Sequence, residues 1–334
     1  MIQAPSETRK FVGVLVLIGL VPLVFPFVSN VNARLATFIL IYAMFAIALN
    51  IVFGHVKQLY LFIGGLTGIG AYTTAITADA IGVTPYATLL LGGLLAGLLG
   101  LLISYVSARR RFTVIVVAVV TLSLQLALME FFVGARWLTG GSTGIRFGGL
   151  ELEIVQSLLG IELMQVLYWQ LFVIFALVMG LYFWMTRSKI GLAFEMIRQD
   201  EYAATAIGVN VVQYKSIAGF TAAFIIGFVG PFYGQLNQLI LPGFFEFTSI
   251  DLLVLMILIV GGLRTLYGPI VGAIVIIYLN EELRALGQWR LVAFGVFLTF
   301  LFLYFDRGLV PYAQRRLLHE YGLGDRIRAL LPVQ

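Results

Sequence analysis

Residues 194–215 read FEMIRQDEYAATAIGVNVVQYK and place Glu195, Arg198, Asp200 and Glu201 within seven positions of an otherwise apolar stretch. Charges grouped this tightly suit a surface that grips another protein. The rest of the chain argues against chemistry. There is no cysteine, so thiol nucleophiles, disulfides and thiolate metal sites are excluded. His55 and His319 are the only histidines, too few for a histidine-built metal centre. No GxxxxGK[ST] loop occurs, and the Gly-rich stretches carry no following lysine, so a nucleotide site of that type must lie on another chain. No paired Asp or His set falls in the middle of an apolar run, as an intramembrane enzyme would need.

The elements that position these residues are set by composition. The 334 residues are 61% hydrophobic and 11% charged, whereas a soluble domain carries about 25% charged residues. Apolar runs long enough to cross the hydrocarbon as helices recur at 11–29, 35–53, 57–78, 85–106, 112–133, 167–186, 214–238 and 290–306. Residues 248–279 are too long for one upright helix and are interrupted by GGLRTLYGP, which predicts two short passes meeting near Arg264. The expected architecture is all-α: a polytopic transmembrane helix bundle of about ten crossings, with broken or re-entrant Gly-rich segments. Residues 1–334 form one domain, and the segment after Arg9 and Lys10 reads as a retained first span.

Basic residues arbitrate topology. Arg9, Lys10, Lys57, Arg109–Arg111, Arg187, Lys189, Arg198, Lys215, Arg264 and five arginines in the tail 307–334 fall on one side. Arg34, Arg136, Arg146, Arg284 and Arg290 fall on the other. Cytoplasmic loops carry the excess, so both termini and the polar segment 187–213 are expected inside a cell (inner) membrane. The net charge of +5 is thereby explained without a nucleic-acid partner. The outer loop 134–166 is acidic through Glu151, Glu153 and Glu162.

Within 187–213, Ser188 suits a helix N-cap, residues 191–207 are good helix formers, Gly208 suits the residue after a helix, and Asn210 can cap the next one. Leu192, Glu195, Met196, Gln199, Tyr202 and Ala203 would share one face. Ala203 and Ala204 keep the helix slim enough to lie in a groove of another protein, with charges at the rim. A plain solvated connector is the competing reading. At membrane depth the polar candidates are Gln58, Thr67, Thr121 and Gln125, with Asn50, Ser123, Asn237 and Gln238. Thr121 and Gln125 are four apart, on one helix face. Irregular backbone at Gly64, Gly65, Gly68 and Gly70, and at Gly261–Pro269, could expose N–H groups to a substrate carboxylate. Close helix packing serves equally for any one of these glycines. The stretches GGLTGIGAYTTAI and GGLRTLYGPIVGAI begin alike, either as an internal repeat or by coincidence. Asp79, Glu130 and Asp251 fall at span ends.

Four stretches together resemble one family. QDEYAATAIGVN (199–210) is similar to the cytoplasmic coupling loop of ABC-importer permeases, in the version of the LivM-type permeases of branched-chain amino acid importers. FIGGLTGIGAYTTAI (62–76) resembles that family's Gly-rich segment ending GIGAY. LTGGSTGI (138–145) resembles its external TGG-x-x-G loop, and VGGLRTLYGPIVGA (260–273) resembles its GGLG-x-x-x-GP segment. Urea-importer permeases share all four. A departure stands at VKQLYLFIGG, where Tyr60, Phe62 and Ile63 occupy positions held by small Ser and Gly and by His in the family.

The resemblance implies a permease subunit moving branched-chain or related amino acids inward by alternating access. It implies a second, LivH-like permease, an external binding protein, and two cytoplasmic ATPases that carry the ATP and Mg and dock at Glu195, Arg198, Asp200, Glu201, Ala203, Ala204, Gly208 and Asn210. A pathway along Gln58, Gly64, Gly65, Thr67, Gly68, Thr121, Gln125, Gly261 and Gly262 accords with it. No cofactor is expected on this chain. The rivals are a urea or short-amide importer and an ion-coupled carrier; the scarcity of mid-span charge counts against proton coupling.

Overall fold

The structure, a computed structural model, describes Gly13, Ile18 and residues 30–82, 84–147, 149–150, 162–304 and 308–312. Apart from Gly13 and Ile18, the expected first span 11–29 lies outside the described residues, as do Glu151, Glu153 and most of the basic tail. Among the described residues the regular structure is helical but for one antiparallel pair of two-residue strands, Ile145–Arg146 on Leu239–Ile240.

The helices are α1 (Asn30–Leu49), α2 (Ile63–Ile81), α3 (Pro85–Arg109), α4 (Val114–Gly134), the one-turn α5 (Arg136–Thr139), α6 (Leu163–Arg187), α7 (Lys189–Gln199), α8 (Glu201–Ala206), α9 (Val211–Asn237), α10 (Asp251–Gly261), α11 (Gly268–Glu282) and α12 (Arg290–Tyr304). Five stretches are long and apolar enough to cross a membrane: Ala33–His55, α3, α4, α6 and α9. The first of these finishes in a π-helical turn, Asn50–His55.

One expected span differs. Residues 57–62 are not helical, and the helix begins only at Ile63. Lys57 takes a left-handed φ of 56°. The freed amides are satisfied by protein: Gln58 N donates to Val52 O and Leu61 N to the Thr121 hydroxyl, each at 3.0 Å. Irregular backbone survives at membrane depth only where it is buried this way. The interruption between α10 and α11 falls where the sequence places it.

α1 and α9 form the interior, and α3 packs along α9 through small residues. Gly93 and Gly97 abut Phe224 and Phe220, and Gly100 lies against Gly219 and Ala223. Gly70 of α2 sits on the Gly227 carbonyl. Contacts this close need glycine and let backbones approach without a hydrophobic drive from water. α4 is peripheral: its inner stripe is Val117, Thr121, Gln125 and Phe132, while Ile115, Val119 and Leu126 face outward.

The two GG stretches occupy unlike places. Gly64 and Gly65 open α2, whereas Gly261 and Gly262 close α10, so the sequence likeness is not a structural repeat. Some of the basic residues cluster in space. Arg111, Lys215 and Arg264 gather around segment 187–213. Arg34 bonds Asn237, at the far end of the 27-residue α9.

Candidate functional site

Segment 187–213 is built by its own capping residues. The Ser188 hydroxyl accepts from Ile190 N and starts α7. Gly208 takes φ 88°, and Val209 N returns to Ala204 O, closing α8 in a left-handed turn that glycine makes without strain. Asn210 Oδ1 accepts from Gln213 N and starts α9. The expected single helix over 191–207 is two helices. Asp200 adopts extended backbone, and its Oδ1 takes the amides of Tyr202 (2.7 Å) and Ala203 (3.1 Å). A short carboxylate that captures backbone N–H groups breaks a helix and restarts it. Tyr202 and Ala203 therefore do not share a helix face with Leu192 and Glu195.

The charges also point differently from the expected rim. Glu195 pairs with Arg264 at 2.6 Å, Arg198 donates to Gly54 O at 2.5 Å, and Glu201 pairs with the buried Lys215. With Asp200 spent on its cap, all four charges are engaged by the chain itself. Burial, with Arg264 beside it and Glu195 opposing, draws the Arg198 pKa below its ordinary value. The large side chains left outward are Leu192, Tyr202 and Ile207, exposed by 60%, 69% and 68%. Arg111 lies over the Tyr202 ring at 4.6 Å, and a groove of about 690 Å³ runs between this loop and the basic α3–α4 turn, past Thr205, Gly208 and Asn210. Ala203 is exposed and Ala204 buried.

At depth, the start of α2 is a polar place in the bundle. Its first amides are claimed by side chains from distant helices. Asp251 Oδ1 accepts from Ile63 N (2.6 Å) and Oδ2 from Gly64 N (3.0 Å). Gln125 Oε1 accepts from Gly65 N, and its Nε2 donates to Phe245 O, both at 2.6 Å. The amides that could have met a substrate carboxylate are thus filled by the chain's own groups. Gly64, Gly65 and Gly68 pack against Phe245 O, Leu128 and Phe132. Thr67 bonds back to Ile63 O, and Thr121 bonds Leu61 N. Gln58 accepts from Ser104 Oγ (2.6 Å), beside Tyr60, whose hydroxyl donates to Gly100 O. Tyr60, Phe62 and Ile63, the bulky departures, are fully buried. Gly261 abuts Gly268, and Gly262 takes φ 107°.

Sequence reasoning passed over Asp251 as a span-end residue. Its signal was an acid with no basic neighbour at the head of LLVLMILIV, where an unpaired charge needs several donors. Asn50, one of the polar residues expected at depth, is a second buried latch. Its Oδ1 accepts from Arg264 N (2.8 Å), and its Nδ2 donates to the Tyr182 hydroxyl (2.9 Å) and Thr265 O (3.2 Å).

The buried Asp251 and Gln125 latch helices together, and the ion pair of Glu195 with Arg264 ties the surface loop to the hairpin between α10 and α11. Residues 32–305 match the family described as "Branched-chain amino acid transport system / permease component", and the chain belongs to that family. It is 25% identical over 310 residues to the high-affinity branched-chain amino acid transport system permease protein LivM of Salmonella typhimurium, and 26% identical to that of Escherichia coli. Each alignment covers 87% of this chain and 72% of the relative. It is also 25% identical over 222 residues to a probable branched-chain amino acid transport permease protein LivH of Methanocaldococcus jannaschii, covering 64% of this chain and 67% of the relative. No solved structure matches. The chain is a multi-pass inner-membrane permease component, a transport subunit that works with other subunits.

Proposed function

We propose that the chain translocates branched-chain amino acids inward by alternating access as one of two permeases in an ATP-driven importer. Two cytoplasmic ATPases dock on segment 187–213, and both termini lie on that side. The observation that carries this reading is the built loop itself: three capping residues hold Leu192, Tyr202 and Ile207 outward while its charges are tied to the bundle. An apolar surface presented on short, capped helices fits a cleft in a partner. ATP and Mg belong to those partners, and an external binding protein delivers the amino acid. Gln58, Gly64, Gly65, Thr67, Gly68, Thr121, Gln125, Gly261 and Gly262 belong to the wall of the pathway.

The test is uptake of radiolabelled leucine by the complete complex in proteoliposomes. Accumulation requires ATP and the binding protein, and Leu192→Asp combined with Tyr202→Asp abolishes retention of the ATPases. Leucine uptake driven by a sodium gradient without ATP, or full ATPase retention by that variant, refutes the reading. Uptake of urea in place of leucine refutes the substrate.

A further inference from the structure

Arg264 stands at the tip between α10 and α11 in a left-handed conformation, φ 64°, that side chains rarely adopt. The resembled GGLG-x-x-x-GP pattern has glycine there. Two separate parts of the chain hold this one residue. Its backbone N–H is bound by Asn50, which is fully buried and opens the π-helical turn of the first described span. Its guanidinium is bound by Glu195 on α7. A second contact runs parallel: Arg198, one turn further along α7, donates to the carbonyl of Gly54 inside the same π-helical turn. α7 therefore grips both interruptions of the membrane helices, the π-turn at 50–55 and the break at 262–267. Such interruptions are where a helix bends with least resistance.

We infer that Arg264 is a positioning residue, a strut between α7 and the hairpin tip that carries displacement of the coupling segment into the broken helices. The inference rests on the proposed docking of ATPases at 187–213. Stability alone does not explain the pair, because both partners are substantially exposed, 40% and 39%, where ion pairs contribute little to folding. A residue held in strained backbone by one element and by charge to another suits transmission instead.

The complete complex in proteoliposomes separates the possibilities. Arg264→Gly removes the strut and eases the left-handed backbone, so thermal stability is maintained or raised. Leucine transported per ATP hydrolysed falls by about fivefold, the scale of a modest coupling between two sites. The chain contains no cysteine, so Glu195→Cys with Arg264→Cys gives a unique pair. That variant loses coupling to the same degree, and joining the two thiols with a short bismaleimide restores it. An unchanged transport-to-hydrolysis ratio in Arg264→Gly, or no restoration on cross-linking, overturns the strut. Assembly of the ATPases on the unsubstituted chain is read in the same preparations. Failure to assemble sinks the docking reading, whereas assembly with an unchanged ratio sinks the strut alone.

Discussion

Replacing Asp251 tests the latch at the head of α2. Its carboxylate is fully buried and is the acceptor for two backbone amides, Ile63 N at 2.6 Å and Gly64 N at 3.0 Å. Asp251→Ala leaves both donors without that partner inside the bundle. A lone buried donor costs about 1–3 kcal/mol, so two would cost about 2–6 kcal/mol. Two effects lower this. The unfolded reference in lipid also finds partners, which brings measured membrane hydrogen bonds to about 0.6 kcal/mol on average. Removal of a buried charge also recovers some desolvation. The expected loss is therefore about 2–4 kcal/mol, drawn from the lower half of that range. Asp251→Asn keeps one acceptor but turns an amide NH₂ toward the other donor, and should fall about midway between Ala and the native residue. The assay is reversible unfolding in mixed micelles, with amide exchange at Ile63 and Gly64 followed in parallel. If Asp251→Ala stays within about 0.5 kcal/mol of the native chain, the range of an unremarkable substitution, the latch is not what holds this helix end. Unchanged exchange at both amides would refute it equally.

Gly70→Ala places a methyl on the Gly227 carbonyl, which is backbone and cannot swing aside, so it should cost about 1–3 kcal/mol in the same unfolding assay. Gly180→Ala in α6 meets nothing within 4 Å and should be neutral, or stabilising by up to about 1 kcal/mol. Glu201→Gln leaves the Lys215 ammonium buried, its side chain 2% exposed, and should destabilise by about 3–5 kcal/mol. Lys215→Met strands only the partly exposed Glu201 and should cost far less; equal losses in a denaturant titration would contradict the asymmetry. Gly208→Val forces φ 88° on a branched residue and should fray the end of α8 by about 1–2 kcal/mol. Faster proteolysis between residues 200 and 210 would report it.

The helical bundle was legible because lipid leaves few options: a long apolar run can cross only as a helix. The caps at Ser188, Gly208 and Asn210 were legible for a similar reason, since each acts on backbone within three residues of itself. One local cap escaped the sequence: Asp200 reads as one more surface charge until its carboxylate is seen to take the amides of Tyr202 and Ala203 and split the helix. The other misses were long-range. Nothing local to Glu195, Arg198 and Glu201 reveals that they pair with Arg264, Gly54 and Lys215. The glycines at 64 and 65 suggest an open anion site until Asp251 and Gln125, contributed by other helices, are found in it.

The latch on α2 has a consequence for how the chain is made. Its acceptor Asp251 lies 188 residues after Ile63. At about 5–20 residues per second, a ribosome needs roughly 10–40 s to supply it. α2, rich in glycine and threonine, is not among the stretches apolar enough to cross on their own account. During that interval its leading amides require water or an insertase as a surrogate. The early helix is therefore released to lipid in finished form only when the late hairpin arrives, and a chain truncated before Asp251 should be a client for membrane quality control.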